Sequence, residues 1–207
     1  MKKIIIVTLM LAMLLACATS CGTPSGSGGN ANSSETDEVY GLLNDLVQKE
    51  YEKIRIDVVS TTDFAQLCSN YVITKNHIVY SIEQLNLLSF DGADSSADSN
   101  YKNTVSGYAL VKDGKITELD GDKDVKLPSY NELKGKFNFN QWNFKNTVVK
   151  SDSFEAEVIS PSKFYGTNVD VSNFKINVKF SETELLSIVI SYRTENATVK
   201  TTYAFES

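Results

Sequence analysis

Through most of this chain apolar residues return at every second position, and a recurrence near 3.6 residues occurs in one segment only. The second pattern runs from Asp37 to Ile54, where Val39, Leu42, Leu43, Leu46, Val47, Tyr51 and Ile54 fall three and four apart behind Ser34 or Thr36 as caps. From Ile54 onward the period is two. Ile54, Ile56 and Val58 form one series, Leu67 to Ile73 a second, and Ile78, Tyr80 and Ile82 a third after a turn at Lys75-Asn76. Asp113-Gly114 between GYALV and ITEL predicts a two-residue hairpin, because a type I′ turn requires positive φ at both central positions. The last third alternates most cleanly: Phe174, Ile176, Val178 and Phe180, then Ile188, Ile190 and Tyr192, then Val199, Tyr203 and Phe205. Roughly nine or ten strands against one helix constrain the fold severely. One helix cannot cover so wide a sheet, so the expectation is mainly antiparallel β with an N-terminal amphipathic helix, curled into a barrel or half-barrel. Such a curl is either filled by its own side chains or left with an apolar cavity.

The chain opens with Lys2 and Lys3 ahead of an apolar run from Ile4 to Leu15, too short for an ordinary membrane span and arranged like an export signal. The run ends in Leu14-Leu15-Ala16-Cys17, which resembles the lipobox of bacterial lipoproteins. That resemblance implies cleavage after residue 16, diacylation of Cys17, and a protein anchored by lipid in the cell membrane or outer membrane, facing away from the cytoplasm. Each buried CH₂ of such a chain contributes about 0.8 kcal/mol to anchoring. Cys21, after Ala18-Thr19-Ser20, is the alternative site and lacks the leucine three places before it. Residues 17–36 are rich in Gly, Ser and Asn and read as a tether, about 20 residues spanning on the order of 25 Å. Residues 37–207 then form a single domain, since roughly 170 residues suffice for one core and are short for two.

Charge and cysteine usage exclude several classes. Net charge is −6 for the whole chain and −8 once Lys2 and Lys3 are removed. With only Arg55 and Arg193 as arginines, such a surface cannot neutralise a row of phosphates, and no nucleic-acid partner is expected. With Cys17 or Cys21 lipidated, Cys68 is the one thiol of the domain, expected to be free and buried, and no disulfide framework exists. A monomer is expected.

The order of helix, curled antiparallel sheet and closing strands resembles the lipoprotein-carrier superfamily (LolA/LolB-like, with the related mycobacterial lipid-binding lipoproteins). The resemblance rests on the lipobox at Leu14 to Cys17, the helix around VYGLLNDLVQKEY, and the strands FKINVKF, LLSIVISYR and VKTTYAF. It implies a concave face that holds acyl chains. It carries over no functional residue, and an anchored chain departs from the soluble periplasmic shuttle of that superfamily.

Catalytic candidates are few. His77 is the single histidine, beside a predicted turn and without a nucleophile paired to it by any motif. Ser160-Pro161-Ser162-Lys163 matches the S-x-x-K string of penicillin-binding enzymes, but proline follows the serine and the companion strings are absent. Two acidic loops suggest calcium: Asp91, Asp94 and Asp98 in one, Asp120, Asp122 and Asp124 in the other. The second places Val125 where an EF-hand loop needs glycine and Asn131 where it needs glutamate, so both read as solvated turns. No enzyme, metal or cofactor is expected.

The segment FNFNQWNF concentrates Phe137, Phe139, Trp142 and Phe144 among uncharged amides. Two readings compete. These rings form a ligand-binding platform able to stack on sugar faces, or they plug the open end of the curl, each burying on the order of 150–250 Å². A bulge or short helical turn would bring all four to one side. The functional expectation is a non-enzymatic protein holding a lipid or other apolar ligand against the concave face. The alternative is a surface-interaction or glycan-binding module with a self-filled core, for which an exposed Trp142 is the discriminating observation.

Overall fold

The computed structural model describes residues 33–86, 102–134, 136–166 and 170–207. Helix α1 (Ser33–Gln48) leads into β1 (Lys53–Thr61), β2 (Ala65–Ile73), β3 (His77–Asn86), β4 (Lys102–Lys112) and β5 (Lys115–Asp120). Short helix α2 (Tyr130–Lys134) and a 3-10 turn (Gln141–Asn143) precede β6 (Phe144–Lys150) and β7 (Ser153–Val158). Helix α3 (Pro161–Tyr165), β8 (Ser172–Phe180), β9 (Leu185–Arg193) and β10 (Thr198–Glu206) complete the order. The ten strands form one curled, open antiparallel sheet in the order β5-β4-β3-β2-β1-β10-β9-β8-β7-β6. The chain thus leaves β1 in one meander and returns in a second that closes on β1 from the other side. The expected signal, residues 17–32 of the expected tether with Cys17 and Cys21, and the loop with Asp91, Asp94 and Asp98 lie outside the described residues, whereas residues 33–36 of that tether belong to α1.

Register makes the alternation of each strand agree with its neighbours. Ile56 stands opposite Tyr71 on β2 and Tyr203 on β10, and the same row continues through Tyr80 to Gly107 in one direction and through Ile188 and Val178 to Phe154 in the other. Because side chains alternate strictly, every such row puts its residues on one face, and a slip of one residue would turn the whole set to solvent. The next two rows inward read Val58, Ser69, Ile82, Val105 and Ser60, Leu67, Gln84, Asn103 across β1 to β4. Across these rows no charged side chain faces inward. Asp113 (φ 52°) and Gly114 (φ 73°) form the β4–β5 hairpin with positive φ at both central positions, as a type I′ turn requires.

The helix differs from its sequence reading at both ends. It begins at Ser33, so Ser34 and Thr36 lie inside it, and it stops at Gln48 although the apolar spacing runs on to Ile54. Ile54 opens the inward series of β1, which the sheet pairs with Ile73 and Phe205. Tyr51 completes the helix end without belonging to it: its hydroxyl donates to the Leu46 carbonyl (3.0 Å) and accepts from the Leu185 amide (3.0 Å). The Leu46 carbonyl, in the last turn of the helix, thus accepts from the Tyr51 hydroxyl as well as from the Lys49 amide.

Helix α1 lies against the inner face of the returning meander. Leu43, Leu46 and Val47 are buried, and Tyr40 stacks on Phe144 and meets Phe154 edge-on, with centroids 5.9 and 5.6 Å apart. Cys68 corrects its expectation. It is half-buried rather than buried, because it alternates out of the inward series Leu67, Ser69, Tyr71.

Candidate functional site

The FNFNQWNF segment enters the curl from the connection between β5 and β6, and Asn44 of α1 holds it there. The Asn44 amide donates to the Phe139 carbonyl at 2.8 Å and its carbonyl oxygen accepts from the Phe139 amide at 2.9 Å. This pair imitates the exchange of bonds between two strands and satisfies a backbone stretch that has no strand partner. Phe137, Phe139 and Phe144 are buried, and with Phe154, Phe164, Tyr165 and Tyr203 they form a continuous aromatic cluster at centroid distances near 5 to 6 Å, mostly edge-on. Edge-on packing places the positive ring edge on the negative face of the neighbour. Trp142 stands apart. It is 58 % exposed, so the 3-10 turn does not gather four rings on one side but divides the segment into three core rings and one surface ring.

That turn is firmly built. The Asn140 side chain caps it by accepting from the Trp142 amide at 3.0 Å, Asn143 is buried and donates its side-chain amide to the Asn138 carbonyl, and the Ile159 amide bonds the Asn143 carbonyl at 2.8 Å.

The leaving meander presents a different inner surface. Tyr80 lies over Gly107, where an added Cβ would stand 2.7 Å from its hydroxyl and 2.2 Å from the Asp120 carbonyl. The same hydroxyl accepts from the Asp122 amide at 3.0 Å, which ties the segment after β5 down onto the sheet. The Tyr130 hydroxyl donates to the Tyr51 carbonyl and accepts from the Tyr51 amide, both at 2.7 Å. Tyr165 and Tyr203 share a hydrogen bond of 2.5 Å in the middle of the aromatic cluster. Burial pushes the ionisation of both well above the ordinary tyrosine value.

Two hydroxyls break this pattern of satisfaction. Among the described residues, Ser60 Oγ and the Tyr71 hydroxyl are buried without a hydrogen-bond partner, and their residues are 4 % and 1 % exposed. Burial raises the Tyr71 ionisation to about 12, with the Ser69 hydroxyl opposing that rise but making no hydrogen bond of ordinary geometry. A buried hydroxyl left unpaired costs on the order of 1–3 kcal/mol, so two of them on adjacent strands call for an account. Both belong to the inward rows of β1 and β2, where Leu67 stands opposite Ser60 and Val58 opposite Ser69, in the row that continues to Val105 on β4; Val58, Leu67 and Val105 are only partly buried. These residues mark one corner of the inner face, across β1 to β4. Its signal was present in the sequence: Ser60, Ser69 and Tyr71 occupy the inward parity of otherwise apolar strands.

The remaining candidates fall into ordinary structure. His77 is exposed, and its Nδ1 lies 3.0 Å from Thr74 Oγ1 within the β2–β3 turn. Ser160 precedes α3, Pro161 occupies its first turn, and the Ser160 carbonyl accepts from the Lys163 and Phe164 amides, so the S-x-x-K string marks the start of a helix. Asp122 accepts from the Asp124 amide within its own turn, and among the described residues no group of three or more histidine, cysteine or acidic side chains converges as metal ligands. No helix among them is long and apolar enough to cross a membrane. No protein-family model matches the chain, and no curated protein matches it.

Proposed function

We propose that this is a non-enzymatic, lipid-anchored extracytoplasmic protein that holds a neutral, largely apolar ligand against the inner face of its sheet, in the manner of the LolA-like carriers it resembles. The observation that carries the reading is the corner of β1 to β4. There, partly buried Val58, Leu67 and Val105 share the inner face with two buried hydroxyls without partners, on rows that carry no charged side chain among the described residues. Apolar surface suits a hydrocarbon chain, and Ser60 and Tyr71 suit an uncharged oxygen on that chain, such as a hydroxyl or ester. Among the described residues of these rows a carboxylate or phosphate would find no counter-charge. Anchoring through Cys17, with Cys21 as the alternative, would keep such a binder at a membrane surface rather than shuttling between membranes.

Native mass spectrometry of the purified full chain tests the proposal. The expected result is an added mass in the lipid range that is lost on denaturation, which separates it from covalent acyl groups. Tyr71→Phe sharpens the test. Removing an unpaired hydroxyl should leave the empty protein as stable or more so, yet weaken uptake of monoolein about two- to tenfold. A bare protein mass that monoolein does not change would end the reading in favour of a self-filled core.

A further inference from the structure

Trp142 is the chain's single tryptophan, and the aromatic cluster in the curl does not use it. Exposing more than half of so large an apolar ring is unfavourable, and three neighbouring phenylalanines in the same eight residues avoid it. The ring is not on a loose loop either. Its turn is fixed by the Asn140 cap, by the Asn143 to Asn138 bond, and by the Ile159 to Asn143 bond that joins it to the end of β7. A large ring carried on a fixed turn costs little backbone freedom on binding, and such rings carry much of the energy at recognition sites.

The chemistry around the ring selects the partner. From Phe137 to Phe144 there is no charged residue, and Asn138, Asn140 and Gln141 are all exposed. Asn140 uses its side-chain oxygen to cap the turn, so its NH₂ is the group that remains to donate to a ligand. Ile159, 50 % exposed and bonded through its amide to Asn143, adds a little apolar surface. A protein interface of ordinary size needs a broader apolar centre than one ring and one isoleucine. An exposed aromatic ring on a turn with exposed neutral amides fits instead a sugar, whose C–H face lies on the ring while its hydroxyls meet the amides.

We propose that Trp142, with the amides of Asn140 and Gln141, forms a binding site for a neutral oligosaccharide of β-linked, gluco-configured pyranoses. In that configuration the ring substituents are equatorial, so the axial hydrogens leave a flat apolar face for the indole. An α-linked chain curves away and offers fewer such faces in line. This site is on the outer surface and does not depend on a ligand in the curl.

Because Trp142 is the only tryptophan, emission from the full chain reports this site alone. Titration with cellohexaose is expected to shift the emission to the blue and to protect it from acrylamide quenching, with a clearly weaker response to maltohexaose. Calorimetry with cellohexaose should then find a loss of roughly thirtyfold or more in affinity for Trp142→Ala. Gln141→Ala should lose about two- to tenfold. Thermal midpoints should hold for both variants, since both side chains are exposed. Emission unchanged by millimolar concentrations of either sugar, an equal response to the two, or Trp142→Ala binding like the parent would each overturn the proposal.

Discussion

The two meanders that meet at β1 share one pattern of alternation and differ in what covers them. On the returning side, β6 to β10, the inward residues meet α1, α3 and the three core phenylalanines, and Phe154, Val178, Ile188 and Tyr203 have no exposed surface. On the leaving side, burial fades strand by strand. Ile56, Tyr71 and Tyr80 are buried, Val105, Val111 and Leu119 are only partly so, and β5 is exposed along nearly its whole length. A strand's alternation states which face turns inward, whereas the depth of burial depends on what is packed above it. The returning side should therefore carry the global stability, and the leaving side should open locally at lower cost.

The strongest test of that difference is Phe139→Ala. It removes a ring that meets Phe144, Phe154 and Phe164, and should destabilise the whole fold by about 3–5 kcal/mol in denaturant titrations. Ile116→Ala on β5, where the side chain is 47 % exposed, should fall within about 0.5 kcal/mol of the parent. Equal losses at the two positions would refute the contrast.

Gly107→Ala comes next. The new methyl would meet the Asp120 carbonyl and the Tyr80 hydroxyl, a conflict of the overpacking kind that costs about 1–3 kcal/mol. Hydrogen exchange should speed up in β4 and β5 and leave β8 to β10 near the parent rate. Acceleration spread evenly over all ten strands would show that the two sides open together.

Alkaline pH probes the returning side through Tyr165 and Tyr203. Their folded-state ionisation is raised by burial, so above the ordinary tyrosine value of 10.0 the unfolded chain releases protons that the folded chain keeps. Stability is then undiminished below that pH and falls as pH rises beyond it. Tyrosinate absorbance should accordingly appear in part as one cooperative step with unfolding. Smooth, independent titration of every tyrosine would contradict the burial.

The smallest effect is expected at the seam itself. Lys53 and Arg55 on β1 hold the Glu206 carboxyl of β10 below its usual range, chiefly through hydrogen bonds. A depressed carboxylate contributes above its unfolded value and loses that contribution as pH falls through the folded one. Glu206→Gln should thus lower the thermal midpoint slightly at neutral pH and low salt, and not at all in strong acid or high salt. A loss that salt leaves untouched would point to packing instead of charge.

Much of this architecture was legible because the side-chain period of a strand is local. Ile176, Val178, Ile188 and Ile190 announce their face without reference to any partner, and Asp113-Gly114 announces its turn. The helix boundary was misread for the complementary reason. Tyr51 and Ile54 continue the helical spacing by coincidence, and only pairing with β2 and β10 assigns Ile54 to the sheet. FNFNQWNF was ambiguous from its composition alone, since a ring suits a core and a surface site equally well until its neighbours are known.

Sequence settled an antiparallel, curled sheet with a polar exterior, because alternation and strand count are properties of neighbouring residues and leave few ways to bury so many apolar faces. Tertiary contacts alone decided that Asn44 would seat Phe139 in the core, that Trp142 would face solvent, and that the inward hydroxyls of Ser60 and Tyr71 would find no partner among the described residues. Each of those outcomes depends on groups far apart in the chain, whose meeting no local period encodes.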